Sequence, residues 1–598
     1  MTALILAAGA DADTAERPRP VSWRRMVWVT WRHHRATFIS VLAVLGAMSV
    51  FLVVVGVRVH SRYAALIAIP VNSAAWQPQN IEFNSVDWTL GYTLLLLMQL
   101  VPVLIGAFAG APVLARDLET GTFRYAWTQG LSRERWTIAK LTPLGLFVAV
   151  VAGAFGAVFA WFFRPFIPQE HLTVLNANVF GTRGIVFAAW TLTAFMIAAF
   201  GGMLLRRVVP AMAATLGVYL ALQLLTRGVL LPRYQVTGFW PAQFIEGGWL
   251  LALSTLLAAA TVWLARHRAA LSEETSVAVL TLSAQPDGDI SVKPVPWHRM
   301  LWVVWRQHRP TFVGVAAVLG AATLYLVFAG LKIRGDFAAM TACHPASSDL
   351  CAPLAASFTG VDWTISNATL ILMDLLPAFI GAFAGGPLLA RDLETGAFRY
   401  MWTQGAGRVR STIARLVLVG IFLSVLAGIV GQVFAWFFQP ALQNAGMTVL
   451  TATVFVSRGL AFPAWTLAAF AIGASCGMLL RRTLPAMAVT LGAYTAVALL
   501  AYLVLRPRYP VSLVTSNASL FGQLTAGPGQ PNGVSANSLS STYVPWVLKT
   551  WHTGATQWWR YIPVSRFWPM QFIEAGWLVV LSILLIAATV WLARHRAA

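Results

Sequence analysis

The amino-acid sequence predicts an all-α polytopic membrane protein with twelve transmembrane helices, arranged as two parallel six-helix repeats. Two observations predict this class. The chain of 598 residues is 58% hydrophobic and only 11% charged, whereas a soluble domain carries about 25% charged residues. The chain is also written twice, since ARDLETGTFRYAWTQG from Ala115 returns as ARDLETGAFRYMWTQG from Ala390 with 14 of 16 positions identical. A soluble enzyme is therefore excluded, and an internal duplication sets the architecture.

The repeat boundaries follow from the matching segments. GMLLRR from Gly202 returns from Gly477, and TVWLARHRAA ends both the first half and the whole chain. We predict a first repeat over residues 1–270, a polar cytoplasmic linker over 271–296 and a second repeat over 297–598. The second copy carries about 53 extra residues. They form an outer-loop insert at about 511–562, whose Ser, Asn, Gly and Pro content indicates a solvated loop.

Each repeat contains six apolar runs that are long enough to span a bilayer, which takes about 20 residues per helix. The predicted spans lie near 36–57, 88–114, 141–163, 185–205, 208–231 and 244–265, and again near 310–331, 363–389, 416–438, 460–480, 483–505 and 572–593. Because six is an even number, both repeats insert with the same orientation, and we expect a pseudo-twofold axis along the membrane normal.

The basic residues predict the orientation in the cell membrane. The net charge of +21 is spread as short basic strings beside apolar runs, which argues against a nucleic-acid partner and is typical of topology-setting charge. A cytoplasmic N-terminus places most of these residues inside, including the pairs Arg206-Arg207 and Arg481-Arg482. We therefore expect both chain termini to be cytoplasmic.

Two kinds of inner segment differ from the apolar background. SWRRMVWVTWRHHR from Ser22 and its echo from Trp297 predict an amphipathic helix that lies in the inner membrane interface. It serves either as an anchor or as a partner contact. The loop between spans 2 and 3, and its copy between spans 8 and 9, is about 25 residues long. Either it only fixes topology, or it docks a partner, which its near-identity in the two copies favours.

The same loop resembles the inner loop of permeases of the type-2 ABC exporter branch, which has the form R-x-x-E-x-G-T followed by S-R and K. The matching residues are Arg116, Glu119, Gly121, Thr122, Ser132, Arg133 and Lys140, with Arg391, Glu394 and Gly396 in the second copy. The second copy departs from this motif at Ala397, in place of Thr, and at Gly407, in place of Ser. The difference implies weaker docking of a partner on the second copy. The segments FWPAQFIEGGWL and FWPMQFIEAGWL are similar to permeases of actinobacteria.

The resemblance implies a permease subunit of an ATP-driven exporter that works with two copies of a separate ABC ATPase. It implies docking roles for Arg116, Asp117, Glu119, Thr122, Arg124, Tyr125, Arg391, Asp392, Glu394, Arg399 and Tyr400. None of the four Lys residues follows a Gly, so the chain lacks a P-loop of its own. We expect no catalytic residue, no metal site and no cofactor in this chain, with Mg-ATP bound by the partner.

Ionisable and polar residues inside spans are candidates for a translocation path, because charge is costly at mid-membrane. Asp374 lies inside span 8, and Gln99 is its counterpart in span 2. These two residues either line a path for a hydrophobic or amphipathic substrate or hydrogen-bond between helices. At the outer ends of spans 2, 8, 6 and 12 stand the acids Asp87, Asp362, Glu246 and Glu574, for which we expect pairing with Arg233 or Arg566.

Small residues in spans 2 and 8 predict close helix packing. Pro102 precedes Gly106 and Gly110, and Pro377 precedes Gly381 and Gly385. We expect these glycines to pack span 2 against span 8 at the twofold axis. Proline bends a helix, and the resemblance implies that Pro102 and Pro377 also act as hinges during transport. Cys343 and Cys351 share an outer loop, where a disulfide is permitted.

Two other functions stay open on the sequence. A proton-driven secondary transporter would use Asp374 as its proton carrier. A non-transporting membrane scaffold or signalling protein would need neither a translocation path nor an ATPase partner. The spans are uniformly apolar, so the sequence does not identify the substrate.

Overall fold

The computed structural model describes residues 22–70, 80, 83–123, 132–169, 172–234, 238–267, 297–343, 351–358, 362–396, 408–444, 449–509, 514–517, 547–553, 556–561 and 564–595. The chain divides into two compact units, Met1–Asp287 and Gly288–Ala598, which we call repeat 1 and repeat 2. Within the described residues, twelve helices are long and apolar enough to cross a membrane. This confirms the predicted helical, multi-pass class. We use "inner" for the side that carries the loop between spans 2 and 3.

Repeat 1 contains spans 1 to 6, and span 2 is built of four consecutive helical pieces. The spans are Trp23–Ile67 (span 1), Thr89–Met98, Val101–Ile105, Gly106–Gly110 and Ala111–Thr120 (span 2), Arg133–Phe162 (span 3), Gly184–Leu205 (span 4), Val208–Leu225, Thr226–Leu230 and Leu231–Tyr234 (span 5), and Phe239–His267 (span 6). Short segments Phe83–Trp88, Phe166–Gln169 and Ala177–Phe180 lie between them.

Repeat 2 contains spans 7 to 12 in the same order. They are Trp297–Ala342 (span 7), Trp363–Ile380, Gly381–Gly385 and Gly386–Thr395 (span 8), Arg408–Phe437 (span 9), Ala461–Leu480 (span 10), Thr483–Leu500, Ala501–Leu505 and Arg506–Arg508 (span 11), and Phe567–His595 (span 12). The remaining helical segments are Cys351–Ser357, Gln439–Asn444, Ala452–Val456 and Val564–Arg566. A π-helical turn interrupts spans 2 and 5 of repeat 1, at Gly106–Gly110 and Thr226–Leu230. The equivalent turns of repeat 2 interrupt spans 8 and 11, at Gly381–Gly385 and Ala501–Leu505.

Span 4 is the central helix of repeat 1, and span 10 is its counterpart in repeat 2. Both are apolar on every side, which is the pattern of a helix surrounded by other helices. Phe187, Trp190 and Phe195 of span 4 are buried. Span 1, by contrast, exposes Ile39 and Val50. An apolar face that is exposed on a membrane-spanning helix is the face that contacts lipid.

The predicted interfacial helix is not a separate element. The segment from Trp23 runs without a break into span 1 and forms one helix of 45 residues, and its copy forms one helix of 46 residues. At 1.5 Å per residue the first helix is about 68 Å long, whereas a bilayer core is about 30 Å thick. The expectation of an independent helix in the membrane plane is therefore wrong. No Gly or Pro separates Arg32 from Phe38, so nothing ends the helix there.

The outer-loop insert contains a small sheet that the sequence analysis did not predict. Strands β1 (Val514–Asn517), β2 (Val547–Thr553) and β3 (Thr556–Tyr561) form an antiparallel sheet in the order β1-β3-β2. Val514 pairs with Tyr561, and Thr553 pairs with Thr556 across the hairpin. The Ser- and Gly-rich composition that suggested a loop belongs to 518–546, which lies outside the described residues.

The glycines of spans 2 and 8 pack against the central helix of their own repeat. A Cβ atom at Gly106 would lie 2.6 Å from the carbonyl oxygen of Ala194 in span 4, and one at Gly385 would lie 2.6 Å from that of Phe470 in span 10. These glycines therefore pack closely against the central helix of their own repeat, and the expected packing of span 2 on span 8 stays a prediction. Pro102 lies in the first turn after a break in span 2, whereas Pro377 lies inside a continuous helix.

Candidate functional site

On the inner side, span 2 ends at a glycine in a left-handed backbone conformation, which favours glycine over other residues. Gly121 follows the last helical residue, Thr120, with a φ of 74°, and Gly396 ends span 8 with a φ of 73°. A left-handed residue at this position closes a helix, and glycine adopts it without steric cost. The left-handed conformation explains the glycine of the repeated RDLETG motif.

A buried ion pair joins spans 2 and 3 at the inner end of repeat 1. Lys140 of span 3 donates to Asp117 of span 2, and its Nζ lies 4.4 Å from the centre of the Trp136 ring. Repeat 2 makes the same connection with Arg415 and Asp392. Asp117 is buried, so the docking role predicted for it is wrong: it holds two helices of its own repeat together. Asp392 makes the equivalent bond but keeps 29% of its side chain exposed.

A second inner contact joins span 2 to the start of span 5. The carboxylate of Glu119 accepts a hydrogen bond of 3.2 Å from the backbone N–H of Val208, and Glu394 accepts one of 3.0 Å from Thr483. An acid at a helix N-terminus satisfies an otherwise unpaired N–H and complements the helix dipole. Both glutamates are exposed. Together with the Asp117 and Asp392 ion pairs, these contacts form what we call the inner networks.

The inner end of span 1 packs beside this network. His33 lies 3.9 Å from Asp117, and the neighbouring His34 is partly buried. Burial, together with the positive charge of Lys140, lowers the pKa of His34 to about 3. Its Nε2 has no hydrogen-bond partner within the described part of the chain. His34 is therefore uncharged at neutral pH.

The other predicted docking residues divide into two groups. Arg116 and Arg391 are exposed on the last turn of their helices, and Thr122 donates to Asp117 at 3.4 Å. Arg124, Tyr125, Arg399 and Tyr400 lie outside the described residues. The structure thus brings Arg116, Glu119 and Thr122 to one inner surface of repeat 1. Arg391 and Glu394 occupy the corresponding surface of repeat 2.

Gln99, a predicted path residue, belongs to a polar network in the outer half of repeat 1. Its amide nitrogen donates to the carbonyl oxygen of Asn178 at 2.8 Å, and its oxygen accepts a 2.5 Å hydrogen bond from Arg227. Arg227 also donates to the Asn178 side chain at 3.0 Å and to Gln223 at 3.2 Å. We call this group of four residues the outer network of repeat 1. Gln99 is therefore held by hydrogen bonds between helices.

The outer network of repeat 2 consists of Asp374, Arg506, Tyr509 and Glu574. Arg506 donates two hydrogen bonds to Glu574, of 2.9 and 2.6 Å, and Tyr509 donates a third of 3.0 Å. Arg506 also lies close enough to Asp374 for their charges to interact. One oxygen of Asp374 is nevertheless buried without a hydrogen-bond partner among the described residues. This carboxylate is the less satisfied member of the network.

Both repeats share a fixed contact between spans 4 and 6, or 10 and 12. Trp190 donates to Glu246 at 2.8 Å, and Trp465 donates to Glu574 at the same distance. Gln243 accepts from the first backbone N–H groups of span 4, at Val186, and Gln571 does the same for span 10. The Gln and Glu of the repeated FWPxQFIE motif are therefore packing residues.

The outer acids have other partners than Arg233 and Arg566. Arg62 pairs with Asp87 at 3.1 Å, and Lys332 pairs with Asp362 at 3.0 Å. Glu574 pairs with Arg506, as described above. The expectation of an ion pair was right for these three acids, but the predicted partners were wrong. Arg62 lies on span 1 and Lys332 lies on span 7, so the cations come from helices that the sequence analysis did not consider. In the same outer region Cys343 and Cys351 form a disulfide.

Arg227 and Arg506 are the functional candidates that the sequence analysis missed. They are not at equivalent positions: Leu231 corresponds to Arg506, and Tyr502 corresponds to Arg227. A search for residues shared by the repeats therefore passes over both. The recurrence of the FWPxQFIE motif in both repeats marks Gln243 and Glu246 as important. Their role as packing residues becomes clear only from the position of span 4, which they contact.

Twelve apolar spans in two similar repeats, with charged inner ends and polar groups between the helices, define a multi-pass membrane protein. Over residues 42–230 and again over residues 316–506, the chain matches the sequence model of the family described as ABC-2 membrane transporter related. The chain belongs to this family, in a tandem form with two repeats. It is therefore the permease component of an ABC-type transporter, and the family implies an ABC ATPase as its partner. Comparison with curated protein sequences finds no match.

Proposed function

We propose that this protein is the complete membrane part of an ATP-driven exporter in the cell membrane, with one ABC ATPase subunit docked on the inner surface of each repeat. The observation that supports this proposal is the duplicated inner network. Each repeat presents an exposed arginine and an exposed glutamate on the last turn of span 2 or 8. Two matched surfaces suit two copies of one partner.

The inner network also supplies a mechanical connection to the membrane. Glu119 joins the end of span 2 to the start of span 5, and Glu394 does the same for spans 8 and 11. Spans 2 and 5 are also the helices that carry Gln99 and, in the π turn of span 5, Arg227. A partner that moves the inner loop would therefore move both helices of the outer network. This connection favours coupling over a purely topological role of the loop.

The proposed path runs along the outer networks. Asp374 supports it because a buried carboxylate oxygen without a partner is a place where water or a polar group of a substrate binds. Gln99 contributes the equivalent position in repeat 1. Asp374→Asn should change the rate of substrate transport while the thermal stability stays within about 1 kcal/mol of wild type. Gln243→Leu, which disrupts a packing residue, is the control that lowers stability.

The docking proposal is tested by isolating the full chain from its own membranes in mild detergent and identifying bound ABC ATPases by mass spectrometry. The double variant Glu119→Arg, Glu394→Arg should lose most of the bound ATPase, because it reverses the charge of both docking surfaces. Glu119→Gln, Glu394→Gln is the matched control, since an amide oxygen still accepts the N–H hydrogen bonds of Val208 and Thr483.

Three outcomes decide the docking proposal. Loss of ATPase in the arginine variant, at unchanged thermal stability, supports it. Retention of a wild-type amount of ATPase by the arginine variant contradicts docking at these surfaces. An uptake reaction that runs on a pH gradient alone and stops in Asp374→Asn would support the proton-driven alternative and contradict the ATP-driven one.

A further inference from the structure

A groove opens on the surface of repeat 1 between spans 3, 4 and 6, near their inner ends. Its volume is about 430 Å³, which lies within the range of about 300–1,000 Å³ that is common for small-molecule sites. Most of its lining is apolar: Leu141 of span 3, Met196 of span 4, and Ala258 and Val262 of span 6. The groove lies outside the inner and outer networks.

The rim of the groove belongs to the membrane-facing surface. Ile138 and Trp263 line the groove and are also exposed. Apolar side chains exposed on spans contact acyl chains, because no water is present at that depth. The chemistry of the surroundings therefore selects a lipid chain as the occupant of the apolar part.

The inner mouth of the groove is cationic and aromatic. Arg266 lines the mouth beside Trp263, and it donates to Glu134 across the groove while about half of its side chain stays exposed. Arg135 lies one helical turn before Ile138 on the same face of span 3 and is exposed. Tryptophan and arginine at the end of a span mark the headgroup level, where cations attract anionic lipids.

Repeat 2 shows which positions have diverged. Trp591 and Arg594 keep the aromatic and cationic mouth, but Ile583 and Ile586 replace Thr255 and Ala258 of the groove. Ile586 packs against the apolar core of its own repeat. The same helix therefore accommodates isoleucine at both positions, so exchanging them into repeat 1 is a conservative way to fill the groove.

We propose that this groove is a binding site for one anionic phospholipid of the inner leaflet. One acyl chain lies between spans 3 and 6, and the headgroup phosphate contacts Arg266 and Arg135. Binding needs no ATPase and no transport substrate. The site is independent of the proposed docking surfaces, so one proposal can fail while the other stands.

The test is native mass spectrometry of the full chain released from nanodiscs that contain equal amounts of phosphatidylglycerol and phosphatidylcholine. Wild type should retain phosphatidylglycerol preferentially. Thr255→Ile, Ala258→Ile should reduce the retained lipid at least about tenfold, since it fills the space of several methylene groups. Leu256→Ala is the matched control on the same helix outside the groove lining, and it should retain the wild-type amount.

A second variant separates the headgroup from the chain. Arg135→Gln, Arg266→Gln should lower the preference for phosphatidylglycerol over phosphatidylcholine about fivefold for each arginine. The proposal is overturned if wild type retains both lipids equally, or if the groove-filling variant retains as much phosphatidylglycerol as wild type. A thermal stability equal to wild type in each variant confirms that the repeat has folded.

Discussion

The inner networks of the two repeats are nearly interchangeable, whereas the outer networks are not. At the inner end, Asp117 and Asp392 each bind a cation on the next span, and only the identity of the cation differs, Lys140 against Arg415. In the outer half, an amide at 99 corresponds to a carboxylate at 374, and the buried arginine has moved by one helical turn. After a duplication, positions that do the same work stay alike. The likeness of the inner ends supports the proposed docking of the same partner on each repeat, while the outer halves present different residues.

The largest expected effect comes from breaking the outer network of repeat 2. Arg506→Met leaves Glu574 as a buried carboxylate without its cation, and removing one partner of a buried ion pair costs about 3–5 kcal/mol. Arg227→Met in repeat 1, which removes hydrogen bonds to uncharged partners in the outer network, should cost about 1–3 kcal/mol. Unfolding in detergent measures both. Equal losses would show that the two outer networks are equivalent, against the comparison.

The packing of spans 2 and 8 should be equally strict in both repeats. Gly385→Ala places a methyl group 2.6 Å from a backbone oxygen, and Gly106→Ala does the same. Each helix has to move away from the central span, which costs about 1–3 kcal/mol. Gly217→Ala in span 5, where nothing lies within 4 Å of the added atom, is the control. Tolerance of alanine at 106 and 385 would contradict the close helix contacts.

The inner ion pairs should couple by similar amounts in both repeats. A double-mutant cycle with Asp117→Asn and Lys140→Met should give a coupling free energy of about 2 kcal/mol, and the cycle with Asp392→Asn and Arg415→Met should give a similar value. The reason is that both pairs join the same helices in each repeat. A coupling found in one repeat only would remove the symmetry on which the docking proposal depends.

The smallest effect is the pH dependence of stability that His34 contributes in repeat 1. The folded chain keeps His34 neutral down to a pKa of about 3, whereas histidine in an unfolded chain takes up a proton near pH 6.5. Stability should therefore fall by about 1.4 kcal/mol per pH unit below 6.5. His34→Leu should reduce the change in melting temperature between pH 6.5 and 5.5. An unchanged pH profile in His34→Leu would contradict the buried placement.

Much of this architecture is readable from the sequence. Repetition and hydropathy predict twelve spans and two repeats, because each span must be apolar over its whole length. The close packing at Gly106 and Gly385 is also predicted, since small residues four apart allow two helices to approach. Their packing partner is not, because the pattern of one helix does not state which neighbour it meets.

The polar networks show where sequence reasoning stops. Asp117 was assigned to a partner because it stands in a charged loop motif, and only its distance to Lys140 in three dimensions shows that it is used internally. Arg227 and Arg506 were missed because each has an apolar or aromatic counterpart in the other repeat. The long helix from Trp23 was misjudged because amphipathic composition is shared by interfacial helices and by extensions of a span.

The central claim is that this protein is moved by an ATPase that binds both inner networks. The most direct measurement is the rate of ATP hydrolysis by the partner ATPase in proteoliposomes, with and without this protein. The account predicts a higher rate in its presence, a return to the basal rate in Glu119→Arg, Glu394→Arg, and a retained increase in Glu119→Gln, Glu394→Gln. A rate that is the same with wild type, with the arginine variant and with no permease at all would contradict the claim.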